Sequence, residues 1–184
     1  MSTSKFETAC ISGVVNAFNK HYKFTGGLSL RSAPEAFIQG EIAISLSKIA
    51  RYVTLESDVR LLLHTSGAEL RGRQPRSGRI DVTAWWKNKK PRFVIEVKKA
   101  FSNESISSDV KRLKQVMERG GSCRDGLVIV YSDASHQSTL DRRFKNIAAA
   151  CKARHSRTGR PRKFHDPVSE KERYWQAACY RVST

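Results

Sequence analysis

Residues 79–97 read RIDVTAWWKNKKPRFVIEV, two β-rich apolar runs joined by a short polar turn, and no other stretch limits the fold so tightly. Strand-like runs this close together pair as an antiparallel hairpin. A turn centred on Asn88 and Lys89 sets Asp81 opposite Glu96, and directly opposed residues share a face with Cβ atoms ~5 Å apart. A slip of one residue would send the two carboxylates to opposite faces, so everything built on this pair depends on the register. Lys98, two residues beyond Glu96, falls on the same face as Glu96.

The hairpin sits within a chain of alternating helical and strand patterns. Phe6, Cys10, Val14 and Ala17 or Phe18 recur at helical spacing over residues 4–20, and Gly26 and Gly27 follow as breakers. A second helix is predicted from SAPEAF, with Ser32 as cap and Pro34 in the first turn, to about Ala50. YVTLESDVRLLL reads as a strand and RGRQPRSGR as a loop. After the hairpin come a helix starting at Ser108 and stopping at Gly120, the buried strand GLVIVYSD, and the helix STLDRRFKNIAAACKA with Leu140, Phe144, Ile147 and Cys151 inward. HSRTGRPRKFHDP reads as a loop or disordered arm, and ERYWQAACYRV as a closing element of open type. The expectation is one domain over 1–184: a three-layer α/β/α core with a central mixed sheet at about 34–154, an N-terminal helix at 4–20, and a basic arm with a C-terminal element at 155–184.

Charge narrows the partners. The 34 Lys and Arg face 17 Asp and Glu, a net charge of +17, and a field of that sign and size favours polyanions, nucleic acid above all. No apolar run reaches the ~18 residues of a membrane span, and no basic n-region followed by an apolar stretch marks the N-terminus. Cys10, Cys123, Cys151 and Cys179 are scattered without metal-binding spacing, as reduced thiols in a cytoplasmic protein would be.

Two adjacent carboxylates repel unless one is protonated or a cation lies between them. A divalent metal resolves this, since Mg2+ is held by one or two carboxylates and completes its shell with waters and phosphate oxygens. Lys98 would then be placed to orient or help deprotonate a water, and these are the parts of metal-assisted phosphodiester hydrolysis. The bland alternative is a solvated edge strand bearing a Glu and a Lys; against it stand the apolar run around them and the partner strand's Asp81.

GRIDV followed by FVIEVKKA resembles the PD-(D/E)XK nuclease superfamily, over roughly residues 34–132. The resemblance implies a restriction endonuclease-like core and a Mg2+-dependent nuclease in which Mn2+ can substitute, with DNA favoured over RNA. Position by position, it implies Asp81 and Glu96 as metal ligands and Lys98 as the residue acting on the attacking water. Ile80 stands where the superfamily's name has proline. A further acid from the helix before the core strands is implied, and the inward stripe Ile38, Ile42, Leu46 and Ile49 selects Glu35, with Glu41 as the alternate and Glu56 a weaker candidate. Glu35 in a helix's first turn also has a plain electrostatic reason to be there.

Basic stretches would hold the polymer. Arg71, Arg73, Arg76 and Arg79 lead into Asp81; Lys87, Lys89, Lys90 and Arg92 surround the hairpin turn; Arg157, Arg160, Arg162 and Lys163 belong to a run of nine Lys and Arg without an acid from 142 to 165. Trp85 and Trp86 could stack on bases, though neighbours on a strand point to opposite faces and one should be core. Asp109 and Lys111 to Lys114 are further candidates for phosphate contact. A homodimer is left open. The competing expectation is a non-catalytic basic DNA- or RNA-binding protein on the same fold.

Overall fold

The computed structural model describes residues 3–68, 78–99, 104–119, 121–153, 155–182 and 184. Seven strands form one mixed sheet in the order β1-β2-β3-β4-β7-β5, with β6 also paired to β7. The strands are β1 (Tyr52–Asp58), β2 (Arg79–Trp85), β3 (Pro91–Lys99), β4 (Asp125–Ala134), β5 (His155–Thr158), β6 (Arg162–Asp166) and β7 (Lys171–Val182). Among the described residues only β3 and β4 run parallel, and α4 (Glu104–Met117) lies in the crossover between them. The helices complete a three-layer α/β/α architecture. α1 (Thr3–Phe24) and α2 (Glu35–Ser47) share one core with Phe93, Ile95 and Val97 of β3. α3 (Val59–Ser66), α4 and α5 (Gln137–Cys151) share the other with Val94 of β3 and Val128 and Val130 of β4.

α1 and α2 cross closely at Gly13. A Cβ there would lie 2.5 Å from the Ile42 Cα, so only glycine lets the two backbones approach this far. α2 starts one residue after Pro34, which caps it without a side-chain bond; Ser32 instead ends a short 3-10 turn, Leu30–Ser32, capped by Ser29.

Two sequence expectations are corrected and one left open is settled. YVTLESDVRLLL is a strand only as far as Asp58. There the Asp58 carboxylate accepts from the backbone N–H groups of Arg60 and Leu61, and Val59, Leu62, Leu63 and Ser66 then fall on one buried face of α3. HSRTGRPRKFHDP is not an arm: β5 and β6 both line the outer edge of β7, end to end. The closing element is β7 itself, a strand between β4 and the β5–β6 edge, and its residues 175–180 are all buried because Trp175, Ala177 and Cys179 face the α1–α2 core while Ala178 and Tyr180 face the α4–α5 core. All four cysteines are buried free thiols. Among the described residues, no helix is long and apolar enough to cross a membrane.

Candidate active site

The hairpin register settles the geometry of the carboxylate pair. Val82 faces Ile95, Thr83 faces Val94 and Ala84 faces Phe93, and the same register continued by one residue puts Asp81 across from Glu96. The Asp81 Oδ2 accepts a hydrogen bond from the Val97 N–H at 2.7 Å, which fixes its side chain against β3. Glu96 is fully buried. Its Oε1 accepts from the Arg112 Nε at 2.8 Å; its buried Oε2 receives no N–H or O–H from the surrounding residues, and the Glu96 and Asp81 carboxyls lie close enough to share a hydrogen bond when one is protonated.

α4 contributes a second layer of charge. Arg112 bridges Glu96 and Asp109, the latter at 2.6 Å, and Asp109 is itself only 4% exposed. The Lys98 ammonium lies 3.4 Å from the Asp109 Oδ2 and 3.8 Å from the Glu35 Oε2. Glu35 reaches this point from the first turn of α2, where its other oxygen accepts from the Lys99 N–H at 3.2 Å. Among the described residues, four carboxylates (Glu35, Asp81, Glu96, Asp109) thus meet two cations (Lys98, Arg112), a formal charge of −2 if all are ionised. That is an acidic hole in a protein of net charge +17.

The titration behaviour follows from burial first and from this imbalance second. Burial, opposed by the Arg112 bond and reinforced by Asp81 and Asp109, pushes the Glu96 carboxyl up to about 8. Burial also raises Asp81, against the Val97 N–H and the Lys98 charge, and raises Asp109 against Lys98 and Arg112. For Lys98, burial pulls downward, but Asp109, Glu35, Asp81 and Glu96 together outweigh it and hold the ammonium above its ordinary value. A lysine held charged in this way orients groups and stabilises negative charge; the expected role in deprotonating a water has no support in its surroundings.

The acids differ in how they suit a divalent cation. Two adjacent buried carboxyls, one with an oxygen that no N–H of its surroundings reaches, within a net negative cluster, are a fitting environment for Mg2+, whose remaining ligands come from water and phosphate. The trio Asp81, Glu96 and Glu35 is only partly assembled: among the described residues no three His, Cys, Asp or Glu gather as a metal-holding group, and Glu35 is engaged by Lys98 and the Lys99 N–H. Glu41 does not reach the site. It lies 7% exposed on the α1 side of α2 and pairs with Lys20 at 2.7 Å. Glu56 is exposed on β1 with φ 50°, near enough for its charge to raise Asp81 further.

Asp109 and Arg112 change roles relative to expectation. Both are bound inside the cluster rather than presented to phosphate. Asp109 had a legible signal: it falls in the stripe Ile106, Val110, Leu113, Val116 that buries α4, and an acid on such a stripe needs a cation nearby.

The basic candidates are dispersed. Arg71, Arg73 and Arg76 lie outside the described residues. Arg79 starts β2 two residues before Asp81 and is exposed, while Lys89 and Lys90 are exposed in the hairpin turn, Lys89 with φ 61°. Arg157, Arg160, Arg162 and Lys163 follow the opposite edge of the sheet, separated from β3 by β4 and β7. Arg157 donates to Ser4, Arg162 lies over the Trp175 ring, and Lys163 pairs with Glu172 at 3.3 Å. No protein-family model, no curated protein and no solved structure matches the chain.

Proposed function

We propose that the chain is a Mg2+-dependent nuclease that hydrolyses phosphodiester bonds, DNA before RNA, at the Asp81–Glu96–Lys98 cluster. One observation carries this: the Glu96 and Asp81 carboxyls are desolvated side by side, and one Glu96 oxygen receives no N–H or O–H from the residues around it, a costly arrangement that a divalent cation would offset. The order of elements gives further support. A helix bearing Glu35, a strand, a hairpin bearing Asp81, Glu96 and Lys98, a helix and a buried strand occur in the order that the superfamily resemblance implies, with the short helix α3 added between the first strand and the hairpin.

Asp81 and Glu96 would hold the metal, Mn2+ being able to replace Mg2+. When bound, the ion supplies Lewis-acid polarisation of a phosphoryl oxygen and a water of lowered pKa. The protein's own groups prepare the place. The Val97 N–H aims Asp81, Arg112 holds one Glu96 oxygen and leaves the other turned to the cluster, and Asp109 and Glu35 hold the Lys98 ammonium between them. The charged Lys98 stabilises negative charge accumulating on the attacked phosphate and orients the incoming water.

The test is to incubate the purified chain with supercoiled, linear, single-stranded and branched DNA, and with RNA, in Mg2+, Mn2+ or EDTA. Asp81→Ala and Lys98→Ala run alongside. Metal-dependent cleavage by the wild type and its loss in both variants is expected; cleavage that persists in both, or in EDTA, rules out this site. Binding without cleavage under any divalent metal would favour a non-catalytic nucleic-acid-binding protein.

A further inference from the structure

The other end of the hairpin carries a second feature that the carboxylate cluster does not use. Where β2 and β3 meet the turn, the register skips: Ala84 faces Phe93 but Trp85 faces Pro91, which leaves Arg92 as an extra residue. A bulge of this kind re-aims a side chain. The Arg92 guanidinium lies 3.9 Å from the centre of the Trp86 ring and 4.5 Å from that of Phe6, held between the two. Beside it opens a cavity of about 520 Å³ lined by Phe6, Ile49, Arg51, Trp86, Lys87 and Arg92 among others, with no acidic residue in its lining.

The two adjacent tryptophans divide their tasks here. Trp85 is half-buried and its indole N–H donates to the Thr54 hydroxyl at 2.8 Å. Trp86 remains 42% exposed, an indole outside both cores, with a cation fixed against it. A flat apolar surface walled by Arg51, Lys87 and Arg92 suits a ligand that is planar at one point and anionic at the next, which is the chemistry of a nucleotide. Lys89 and Lys90 continue the turn as exposed cations. Three cations line the cavity and two more follow it along the turn, more than a single nucleotide's phosphate needs, and a spread that fits the successive phosphates of a strand.

We infer that this pocket takes one unstacked base of a single-stranded nucleic-acid segment against Trp86, with the neighbouring phosphates on Arg51, Lys87 and Lys89. The site shares with the proposed function its nucleic-acid partner, but not its chemistry. Arg92 and Glu96 are four residues apart on β3, ~13 Å at the usual strand rise.

The experiment is done on the full chain in EDTA, where metal-dependent cleavage is silent, so the two proposals fail separately. A fluorescein-labelled dodecathymidylate is titrated by anisotropy, while tryptophan emission is followed with the unlabelled oligomer and with thymidine monophosphate. Oligomer binding with quenched emission is expected. Trp86→Ala should weaken it about tenfold and remove most of the quenching, and Trp86→Phe should restore most of the affinity. Lys87→Ala, an exposed change that cannot disturb packing, should flatten the salt slope by about one. Oligomer affinity unchanged in both Trp86→Ala and Lys87→Ala overturns the inference. So does thymidine monophosphate binding as tightly as the oligomer, which would make the cavity a mononucleotide site.

Discussion

β3 shows a different surface to each helical layer. Toward α1 and α2 it presents Phe93, Ile95 and Val97, all buried in an unbroken apolar core. Toward α3, α4 and α5 it presents Val94, then Glu96 and Lys98, so the apolar contact stops partway along the strand and charge begins. The two faces have the same backbone and the same neighbours in the sheet. What separates them is the sign of their effect on stability: the first face gains free energy from burial, while on the second a carboxyl is desolvated beside another and kept by nothing that packing explains.

The sharpest way to break the comparison is to change one residue on each face and measure cleavage and stability together. Glu96→Gln keeps the shape and the Arg112 hydrogen bond but removes a ligand charge; cleavage of DNA in Mg2+ should fall by roughly a thousandfold or more, about 4 kcal/mol in the barrier. Denaturant midpoints should fall little or rise. Phe93→Ala on the other face does the opposite. The lost ring stacks on Phe6 at 4.4 Å, so unfolding free energy should drop by about 3–5 kcal/mol, and activity should be kept at temperatures where the variant stays folded. If Glu96→Gln proves the more destabilised of the two, the charged face is structural.

Gly13 tests the apolar layer at a different point. Gly13→Ala would force a methyl to 2.5 Å from the Ile42 Cα, a backbone atom that cannot step aside. A loss of about 1–3 kcal/mol is expected in urea unfolding. The displacement would be felt at the helix that carries Glu35, so the Lys98 environment should shift as well, visible in its side-chain NMR signals.

Much of the apolar face was legible in the sequence, and the register of the charged face was too, though partly for a compensating reason. The observed turn closes Trp86 on Lys90 and so centres on Asn88 alone, half a residue from the expected Asn88–Lys89 centre; the bulge at Arg92 restores the pairing that sets Asp81 against Glu96. Short polar turns do not reveal bulges. The start of α3 was missed because DVRLLL is apolar enough for either period, and the deciding signal is the Asp58 cap. β5 and β6 carry so much charge that they read as a free segment, and only the unfilled edge of β7, a tertiary fact, recruits them. Between the two helix acids the stripe selected Glu35, yet Glu41 is the more buried, since its border position faces Lys20 of α1 rather than solvent.

The pH dependence of stability sharpens the contrast further. Glu96 has a folded-state pKa of about 8, above its ordinary 4.5, so between those values the folded chain binds more protons than the unfolded one. Stability from this group is therefore present at low pH and lost as pH rises through that window. Wild type should lose on the order of 1–3 kcal/mol between pH 5 and pH 8 relative to Glu96→Gln, whose curve lacks this component. Equal slopes for the two proteins would show that Glu96 is ionised throughout and already neutralised by Arg112.

The smallest expected effect concerns metal and proton together. A cation held by Asp81 and Glu96 requires both as carboxylates, so at pH 6 binding must expel the proton that Glu96 retains, and at pH 8 much of that cost is gone. Mg2+ should thus raise the melting temperature more at pH 8 than at pH 6, and release protons on binding at the lower pH. At a concentration ten times its dissociation constant it stabilises by about 1.4 kcal/mol. Thermal unfolding with and without Mg2+, in wild type and Asp81→Asn, measures this without any substrate. A Mg2+ effect of the same size at both pH values, or one retained in Asp81→Asn, would place the ion elsewhere and leave a proton shared with Asp81, rather than a cation, as what reconciles the two carboxyls.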